Sequence, residues 1–269
     1  MNSAIVIPAR YGSSRFPGKP LANIRGKSML ERTWTIAKSA GADEVFITTD
    51  DDRIETAAAE FGAKVIRTRP ECANGTERVF ESLQVQGIQP HIVLNFQGDA
   101  VLTPPWVLSD LLAAMRADST VQMATPATKL TFEKFDDIRK QKSAGIVGGT
   151  LVVFDKDKNA LYFSKSPIPF IRTKIENAPL YRHVGLYAYR YETLKRYLAL
   201  PQSELEQLEG LEQLRALENG IPIKIVVVDY HSRTHWSVDS PEDLKRVEEI
   251  IDREGELVSE TSLSSGVNA

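Results

Sequence analysis

The residues best suited to chemistry lie in a short basic segment near the N-terminus. Its cations and the small residues between them are Arg10, Gly12, Ser13, Ser14, Arg15 and Lys19. Backbone N–H groups of small residues can cradle phosphate oxygens, and the cations can add charge-assisted hydrogen bonds. An apolar run over 4–8 precedes the segment and predicts a buried parallel strand. Because open α/β sheets bind ligands where their strands end, the segment predicts a phosphate-binding loop.

This loop matches neither of two well-known phosphate-binding patterns. A Walker A loop has four residues between its glycines, whereas five residues separate Gly12 from Gly18. Pro20 also stands where that motif has a hydroxyl, and the dinucleotide pattern G-x-G-x-x-G is absent from the sequence. From the residues alone, a basic surface loop without a ligand stays the competing interpretation.

Two aspartates are candidates for a metal site. Asp99 follows the strand predicted over 91–96, and Asp239 precedes the last predicted helix, 241–253. Two carboxylates at the ligand-binding edge of a sheet could share a Mg²⁺ ion, which prefers oxygen ligands and keeps water and substrate phosphates. From the local pattern alone, Asp99 could instead serve a turn and Asp239 a helix cap.

Eight motifs, in order along the chain, resemble one enzyme family. They are IPARYGSSRFPGKPL (7–21), TTDD (48–51), NGTERV (74–79), NFQGDA (95–100), NALYFSKSPIPF (159–170), RHVGLYAYR (182–190), LEGLEQLR (208–215) and SVDSPEDL (237–244). They resemble the nucleotide-sugar nucleotidyltransferases, and among these the 3-deoxy-manno-octulosonate (Kdo) cytidylyltransferase family. The resemblance implies transfer of CMP from CTP to Kdo or a close analogue, an acidic 3-deoxy sugar, with release of pyrophosphate for lipopolysaccharide biosynthesis.

The resemblance also implies roles for individual residues. It makes Lys19, Arg10 and Asp99 catalytic, and it makes Asp99 and Asp239 ligands of Mg²⁺, the expected cofactor. The positions that it assigns to the nucleotide are Arg10, Gly12, Ser13, Ser14, Arg15, Lys19, Arg78 and Gln97. The positions that it assigns to the sugar are Gln97, Lys165, His183, Tyr187, Glu212 and Gln213.

The residue types themselves favour plainer roles for several of these positions. A lone arginine such as Arg78 is usually an exposed helix cation, and a lone histidine such as His183 is more often structural. Glu212 and Gln213 lie in an acidic stretch that is typical of a solvated helix face.

Two positions depart from the family pattern. Ala100 follows the QGD motif, where the family commonly has an acidic residue, and Lys165 stands where arginine is common. Lysine keeps the positive charge but loses the two-pronged geometry with which a guanidinium binds a carboxylate. Both departures concern sugar recognition, and neither removes the candidate metal ligands.

The order of the predicted elements indicates an α/β fold. Strands alternate with helices of about 10–15 residues up to position 116, the pattern of right-handed βαβ crossovers. We predict a mostly parallel, Rossmann-like open sheet flanked by helices, in a single nucleotidyltransferase domain over 1–253. A smaller inserted lobe for dimerisation and sugar binding is expected over about 125–222, and a flexible tail over 254–269.

Local patterns predict three further features. Two strand-like runs, 149–155 and 161–164, flank a turn and predict a hairpin. The segment 203–219 predicts one helix, and the charged segment 132–141 is ambiguous.

Composition excludes several classes of protein. The net charge of −3 provides no basic field for nucleic acid, and no apolar run reaches the ~18 residues of a membrane span. The N-terminus lacks a signal-peptide pattern, and the single cysteine, Cys72, allows no intrachain disulfide. We therefore expect a cytoplasmic protein. Family members are usually dimers, and the apolar and aromatic residues of 161–170 and 184–191 favour a homodimer.

Two alternative functions stay open. One is the activation of another acidic sugar with CTP, such as 8-amino-Kdo or a sialic acid. The other is a non-catalytic nucleotide-binding module that has kept the phosphate loop. The presence of Lys19, Asp99 and Asp239 together favours an enzyme.

Overall fold

The computed structural model describes residues 1–12, 16–146 and 148–258. The chain forms two compact units. The first unit comprises residues 1–112 and the C-terminal segment from 230 onward, and the second comprises 113–229, which contains the predicted lobe. Ser13, Ser14 and Arg15 lie outside the described residues, as does most of the predicted tail.

The secondary structure alternates strands and helices through most of the chain. The strands are β1 (Ser3–Pro8), β2 (Asn23–Ile24), β3 (Lys27–Ser28), β4 (Glu44–Thr49), β5 (Lys64–Arg67), β6 (Ile92–Asn95), β7 (Met123–Lys129), β8 (Leu151–Phe154), β9 (Ala160–Ser164), β10 (Tyr181–His183), β11 (Tyr187–Arg190) and β12 (Ile223–Val228). The helices are α1 (Met29–Lys38), α2 (Asp52–Glu60), α3 (Gly75–Gln86), α4 (Pro105–Ala117), α5 (Phe132–Ser143), α6 (Tyr191–Leu198), α7 (Glu204–Glu209), α8 (Gln213–Glu218) and α9 (Pro241–Glu254), with one turn of 3₁₀ helix at Lys19–Leu21.

The first unit is built on a parallel sheet in the order β5-β4-β1-β6. Ile5 on β1 pairs with Val45 on one neighbour and with Leu94 on the other. Ile5 and Leu94 are both fully buried. Because helices cover a parallel sheet on both faces, its strands are apolar at consecutive positions, as the run over 4–8 predicted.

Side-chain caps define where the helices of the first unit begin. Ser28, Asp51 and Asn74 each accept a hydrogen bond from a backbone N–H in the first turn of α1, α2 and α3. Gly87, with a φ of 68°, ends α3 in the left-handed conformation that glycine adopts at little cost. These local signals explain why the predicted helices agree with the observed ones to within a few residues.

The second unit has a mixed sheet centred on β7. Strand β12 runs parallel to β7, while β10 and β11 pair antiparallel with successive parts of β7. Strands β8 and β9 form the predicted antiparallel hairpin, and β8 pairs with β10. The predicted α/β fold with an open sheet and flanking helices is confirmed. The second unit contributes antiparallel pairs to the large sheet, and β2 and β3 form a separate antiparallel pair in the first unit.

Three local predictions need correction. The helix predicted over 203–219 is two helices, α7 and α8, because Gly210 has a φ of 62° and ends α7. Strand β10 was missed, and the ambiguous segment 132–141 is helix α5, capped by Thr131. Among the described residues, no helix is both long enough and apolar enough to cross a bilayer.

Candidate active site

A cleft of about 290 Å³ lies in the first unit, where β1 and β6 end and α3 begins. It brings together residues from five separate parts of the sequence. The polar and glycine residues that line it are Arg10, Lys19, Cys72, Asn74, Gly75, Arg78, Gln97, Gly98, Asp99 and Asp239. The cleft therefore unites most of the nucleotide and metal positions predicted from the sequence, and Gly12 is not among the described residues that line it.

Lys19 joins two segments that are distant in sequence. Its Nζ donates hydrogen bonds to Asp99 Oδ2 at 2.7 Å and to the Val238 carbonyl oxygen at 2.8 Å. The ammonium group is therefore held within the cleft between the QGD motif and the residue before Asp239. This contact fixes a positive charge beside the two candidate metal ligands.

The backbone before Lys19 is shaped by Gly18. Gly18 has a φ of 72°, and a Cβ added to it would lie 3.1 Å from the ring of Tyr11. Its N–H donates to the Tyr11 carbonyl oxygen at 2.9 Å, which closes the neck of the basic loop. Arg53 covers the Tyr11 ring at 3.3 Å from its centre. Both ends of the loop are thus fixed, although its central residues are not described.

Asp243 holds the backbone that precedes helix α9, whose N-cap is Ser240. Asp243 Oδ2 accepts hydrogen bonds from the N–H groups of Asp239 and Ser240, both at 2.9 Å. Its Oδ1 accepts from Trp236 Nε1 at 2.9 Å. Burial alone would raise the pKa of Asp243, but these hydrogen bonds outweigh burial and lower the pKa. Ser240 and Asp243 form the capping box of α9, and Asp239 lines the cleft.

The cleft residues fit a magnesium ion. Asp99 and Asp239 supply hard oxygen ligands, and the lysine ammonium at 2.7 Å from Asp99 shows that a cation is accommodated there. Among the described residues there is no cluster of three or more histidine, cysteine or carboxylate side chains that could hold a metal ion. The remaining ligands of such an ion would have to be substrate phosphates and water.

Consecutive side-chain hydrogen bonds connect Gln97, Asn95 and Thr76 at the floor of the cleft. Gln97 Nε2 donates to Asn95 Oδ1 at 3.2 Å, and Asn95 Nδ2 donates to Thr76 Oγ1 at 3.1 Å. A Cβ at Gly98 would lie 3.2 Å from the Pro8 carbonyl oxygen, so the ends of β1 and β6 approach too closely for a larger residue. This packing fixes the direction of Gln97 and the position of Asp99.

Arg78 is buried and lines one wall of the cleft. It is 4% exposed, and its Nη1 lies 2.7 Å from Thr68 Oγ1 and 3.1 Å from Asp50 Oδ1. The interpretation of Arg78 as an exposed helix cation is therefore wrong. Its positive charge is paired from the protein side and faces the cleft near the N-terminus of α3, where the helix dipole also favours an anion.

Apart from Gln97, the predicted sugar residues lie in the second unit. His183 and Tyr187 are 7% and 5% exposed, and their ring centres are 5.6 Å apart. Burial, followed by the charge of Glu212, raises the pKa of Tyr187 well above its usual value. The Tyr187 hydroxyl is therefore neutral at physiological pH and can both donate and accept a hydrogen bond.

Helix α8 presents Gln213 to the interior of the second unit. Gln213 is 2% exposed, and its Nε2 has no hydrogen-bond partner among the described residues. The solvated-face interpretation is therefore wrong for Gln213, whereas Glu212 is half-buried at the start of the helix. An unpaired buried amide is costly, so this donor is suited to a polar ligand group.

Lys165 lies in a separate basic region of the same unit. Its backbone N–H donates to Glu209 Oε2 at 2.9 Å, and its side chain shares a cleft of about 420 Å³ with Arg139 and Lys142. Burial, together with the charges of Lys165 and Arg182, lowers the pKa of Lys142. The mutual repulsion of these cations would be relieved by a bound anion.

Sequence reasoning missed residues that do not line the cleft but bind the side chains that do. Asp50 and Thr68 pair with Arg78, and no local pattern indicates this because the three lie on different elements. Asp243 could have been found, since Ser240 and Asp243 have the spacing of a capping box.

Comparisons with known proteins identify similar sequences and structures. The family model described as cytidylyltransferase matches residues 4–225. A 3-deoxy-manno-octulosonate cytidylyltransferase of Maricaulis maris is 52% identical over 259 residues, covering 96% of this chain and 100% of the relative. An 8-amino-3,8-dideoxy-manno-octulosonate cytidylyltransferase of Shewanella frigidimarina is 41% identical, covering 92% and 98%. A solved CMP:2-keto-3-deoxy-manno-octonic acid synthetase complexed with CTP is 38% identical with a TM-score of 0.84, covering 94% and 100%.

Proposed function

Since the chain belongs to the cytidylyltransferase family, we propose that it transfers CMP from CTP to 3-deoxy-manno-octulosonate and releases pyrophosphate. The chain is a nucleotidyltransferase enzyme, as its near-full-length relatives indicate. The observation that carries the proposal is the meeting of Lys19, Asp99 and Asp239 in one cleft. A nucleotide-binding module without activity would not need all three.

The reaction joins the anomeric hydroxyl of the sugar to the α-phosphate of CTP. The new bond forms between the sugar oxygen and the α-phosphorus while the bond to the pyrophosphate oxygen breaks, and the hydroxyl proton is lost. Negative charge builds up on the phosphoryl oxygens, so Lys19 and Arg10 stabilise the transition state by hydrogen bonding to these oxygens. No protein nucleophile is required, and Cys72 is unsuited to that role because burial, followed by its hydrogen bond with Glu81, raises its pKa to about 11.

We propose Mg²⁺ as the cofactor, with Asp99 and Asp239 as its ligands. When bound, this ion would reduce the charge of the phosphates and favour ionisation of the sugar hydroxyl. Gln97 and Arg78 are assigned to the nucleotide or sugar because they line the same cleft from a rigid floor and wall. The undescribed residues Ser13, Ser14 and Arg15, and Gly12 before them, remain assigned to the triphosphate from the family motif alone.

The sugar is proposed to contact His183, Tyr187, Glu212 and Gln213, with Lys165 providing a charge for its carboxylate. Gln213 supports this assignment most strongly because its buried amide has an unpaired donor. Activation of 8-amino-Kdo is the second candidate, since a 41% identical relative carries that name. Kdo is proposed first because the relative named for it is 52% identical to this chain over 96% of its length.

We also propose a homodimer that supplies CMP-Kdo for lipopolysaccharide biosynthesis in the cytoplasm. Leu161 and Phe170, which are 62% and 90% exposed, are the large apolar side chains that support a partner surface on the second unit. Light scattering coupled to size-exclusion chromatography should give twice the chain mass of 30.0 kDa, and a single species at that mass would contradict the dimer.

One assay tests the proposed activity. The protein is incubated with CTP, Mg²⁺ and, in parallel, Kdo, 8-amino-Kdo or a sialic acid, and pyrophosphate is measured. We expect pyrophosphate with Kdo at the highest kcat/KM. Release only with sialic acid would replace the proposed substrate, and no release with any sugar would favour the non-catalytic module.

A further inference from the structure

A cation–π contact outside the cleft supports residues that lie within it. The guanidinium carbon of Arg53, in the first turn of α2, lies 3.3 Å from the centre of the Tyr11 ring. Arg53 is not among the described residues that line the cleft, and its side chain is 59% exposed. Tyr11 directly follows Arg10, which does line the cleft. The contact therefore joins a surface residue of α2 to the start of the basic loop.

The carboxylate of Asp51 holds the Arg53 guanidinium in place. Arg53 Nε donates to Asp51 Oδ1 at 2.9 Å, and Arg53 Nη2 donates to Asp51 Oδ2 at 2.6 Å. Asp51 Oδ1 also accepts from the backbone N–H of Arg53 at 3.0 Å, so the carboxylate is itself fixed by the first turn of α2. A guanidinium held by two hydrogen bonds offers a flat, oriented face on which an aromatic ring can stack.

The Tyr11 residue passes this support to Gly18. The backbone of Gly18 lies so close to the ring that an added Cβ would be 3.1 Å from the Tyr11 Cζ. The Gly18 N–H donates to the Tyr11 carbonyl oxygen at 2.9 Å. Gly18 is also the N-cap of the 3₁₀ turn that begins at Lys19. The ring and the carbonyl group of Tyr11 thus set the backbone from which the Lys19 side chain extends.

The position of that backbone matters because Lys19 acts in a fixed direction. Its Nζ carries three hydrogens, and two of them are donated to Asp99 Oδ2 at 2.7 Å and to the Val238 carbonyl oxygen at 2.8 Å. The direction of the third hydrogen follows from the other two. Since a misplacement of about 1 Å can lower an enzyme's rate roughly 100-fold, a small shift at Gly18 should be detectable in the reaction.

We propose that Arg53 is a positioning residue for the reaction, and that it acts through the Tyr11 ring and Gly18 to hold Lys19 in its working direction. This inference rests on the proposed function for the role of Lys19, but not for the support of Gly18. Neither Arg53 nor Tyr11 has to touch the substrate. The competing interpretation is a local surface ion pair between Arg53 and Asp51, which would contribute little.

The first experiment follows the Gly18 amide without any substrate. Pro17-Gly18 is the only Pro-Gly pair in the sequence, so ¹³C-carbonyl proline combined with ¹⁵N-glycine labels one peptide bond, whose amide is that of Gly18. Hydrogen exchange of this amide measures how often its bond to Tyr11 opens. We expect Arg53→Ala to accelerate the exchange roughly 2- to 5-fold, the value of one exposed cation–π contact. An unchanged exchange rate would overturn the proposal.

Arg67→Ala is the matched control for the loss of a cation beside α2. Arg67 is 43% exposed, and its ion pairs are with Asp52 at 3.0 Å and Glu55 at 3.4 Å on that helix. Because these pairs do not involve Tyr11, the control should exchange its Gly18 amide at the parent rate. Equal acceleration in Arg67→Ala and Arg53→Ala would mean that the charge near α2 matters rather than the stack, and would also overturn the proposal.

A double-mutant cycle tests the effect on the reaction with CTP and Kdo. Arg53→Ala should lower kcat roughly 2- to 5-fold and leave the KM for Kdo unchanged. Tyr11→Leu removes the ring and should lower kcat at least as much. The double variant should have the kcat of Tyr11→Leu alone, because Arg53 acts through the ring. Effects that multiply in the double variant would show that Arg53 acts independently of Tyr11 and would contradict the proposal.

A conservative variant and the parent complete the test. Tyr11→Phe keeps the ring and should retain the kcat of the parent to within about twofold. If Tyr11→Leu does not fold, kcat and amide exchange in Arg53→Ala still decide, since faster exchange with an unchanged kcat would overturn the positioning role. Failure of the parent to release pyrophosphate with Kdo would refute the proposed function, whereas the Gly18 exchange would still test whether Arg53 supports this backbone.

Discussion

The cleft of the first unit is lined by charged side chains, whereas the buried residues around His183 in the second unit include uncharged hydroxyl groups. The cleft places charged side chains on loops that follow strands, where Lys19 and Asp99 are 18% and 30% exposed. The second unit places the neutral hydroxyl groups of Thr125 and Tyr187 on buried strands, and Thr125 has no exposed surface. Charges act over several ångströms, whereas a neutral hydrogen bond depends on direction. Chemistry should therefore depend on charge in the first region, and sugar selection on geometry in the second.

Removal of a metal-binding charge should have the largest effect. Asp99→Asn or Asp239→Asn keeps the shape of the side chain but loses its charge, and should lower kcat by roughly 100-fold or more with little change in melting temperature. Asp110→Asn, at an exposed position of α4, is the matched control and should retain activity. Near-normal turnover of either cleft variant at low Mg²⁺ would show that the carboxylate charge is not needed.

Loss of Lys19 should affect the chemical step more than binding. Lys19→Ala removes a charge that acts on the phosphoryl group, so kcat and kcat/KM should fall together by about 2.7–4 kcal/mol, the cost of one transition-state donor. Steady-state kinetics with varied CTP measures both constants. A rise in the KM for CTP alone would make Lys19 a binding residue and would weaken the contrast between the two regions.

Asp243 offers a smaller and more selective test. Asp243→Asn removes the negative charge and one of the two oxygens that accept hydrogen bonds from Trp236, Asp239 and Ser240, so the loop that carries Asp239 should loosen. We expect the Mg²⁺ concentration for half-maximal rate to rise roughly 10-fold, the usual effect of losing a residue that orients a metal ligand. Binding of Mn²⁺ in the presence of CTP, followed by electron paramagnetic resonance, should weaken in parallel.

The control for this prediction is Trp236→Phe. It removes only the indole N–H bond to Asp243 and leaves the contact with Asp239. Its metal affinity should stay closer to that of the parent than that of Asp243→Asn. Equal metal affinity in the parent and both variants would mean that Asp243 caps the helix without positioning Asp239.

Glu81 should contribute to stability rather than to chemistry. Burial alone would raise its pKa, but hydrogen bonds from Arg69 and Cys72 lower the pKa from 4.5 to about 2. Because the folded state holds the proton less tightly than the unfolded state, this stabilisation is present above about pH 4.5 and disappears as the pH falls toward 2.

Urea unfolding of Glu81→Gln measures that contribution. At neutral pH the variant should be less stable by about 1–3 kcal/mol, the cost of unpaired buried groups. The difference from the parent should shrink as the pH is lowered below 4.5. A difference that does not depend on pH would indicate packing rather than the carboxylate charge.

Local patterns predicted most of the fold because each depends on neighbouring residues. The apolar run over 4–8 and the hairpin of 149–155 and 161–164 are examples that the structure confirms. The break at Gly210 was not predicted, since a glycine within a periodic pattern costs only about 1 kcal/mol and does not by itself end a helix. The φ of 62° at Gly210 is the left-handed conformation that ends a helix, and glycine adopts it at little cost.

The supporting contacts of the site were less predictable than the site residues. The residue type alone favoured an exposed Arg78, but burial of its guanidinium depends on Thr68 and Asp50 from other elements. Gln213 was interpreted as part of a solvated face because its neighbours in sequence are acidic, whereas the fold turns it inward. Helical periodicity indicates a face but does not indicate which partners cover it.

The most direct test of the proposed reaction follows the CMP group itself. CTP labelled at the α-phosphate is incubated with Kdo and Mg²⁺, and labelled CMP-sugar and pyrophosphate are quantified in the parent and in Asp99→Asn. We expect equal amounts of both products from the parent and almost none from the variant. Pyrophosphate without a labelled CMP-sugar, or equal product from both proteins, would contradict a cytidylyl transfer that depends on the Asp99 cleft.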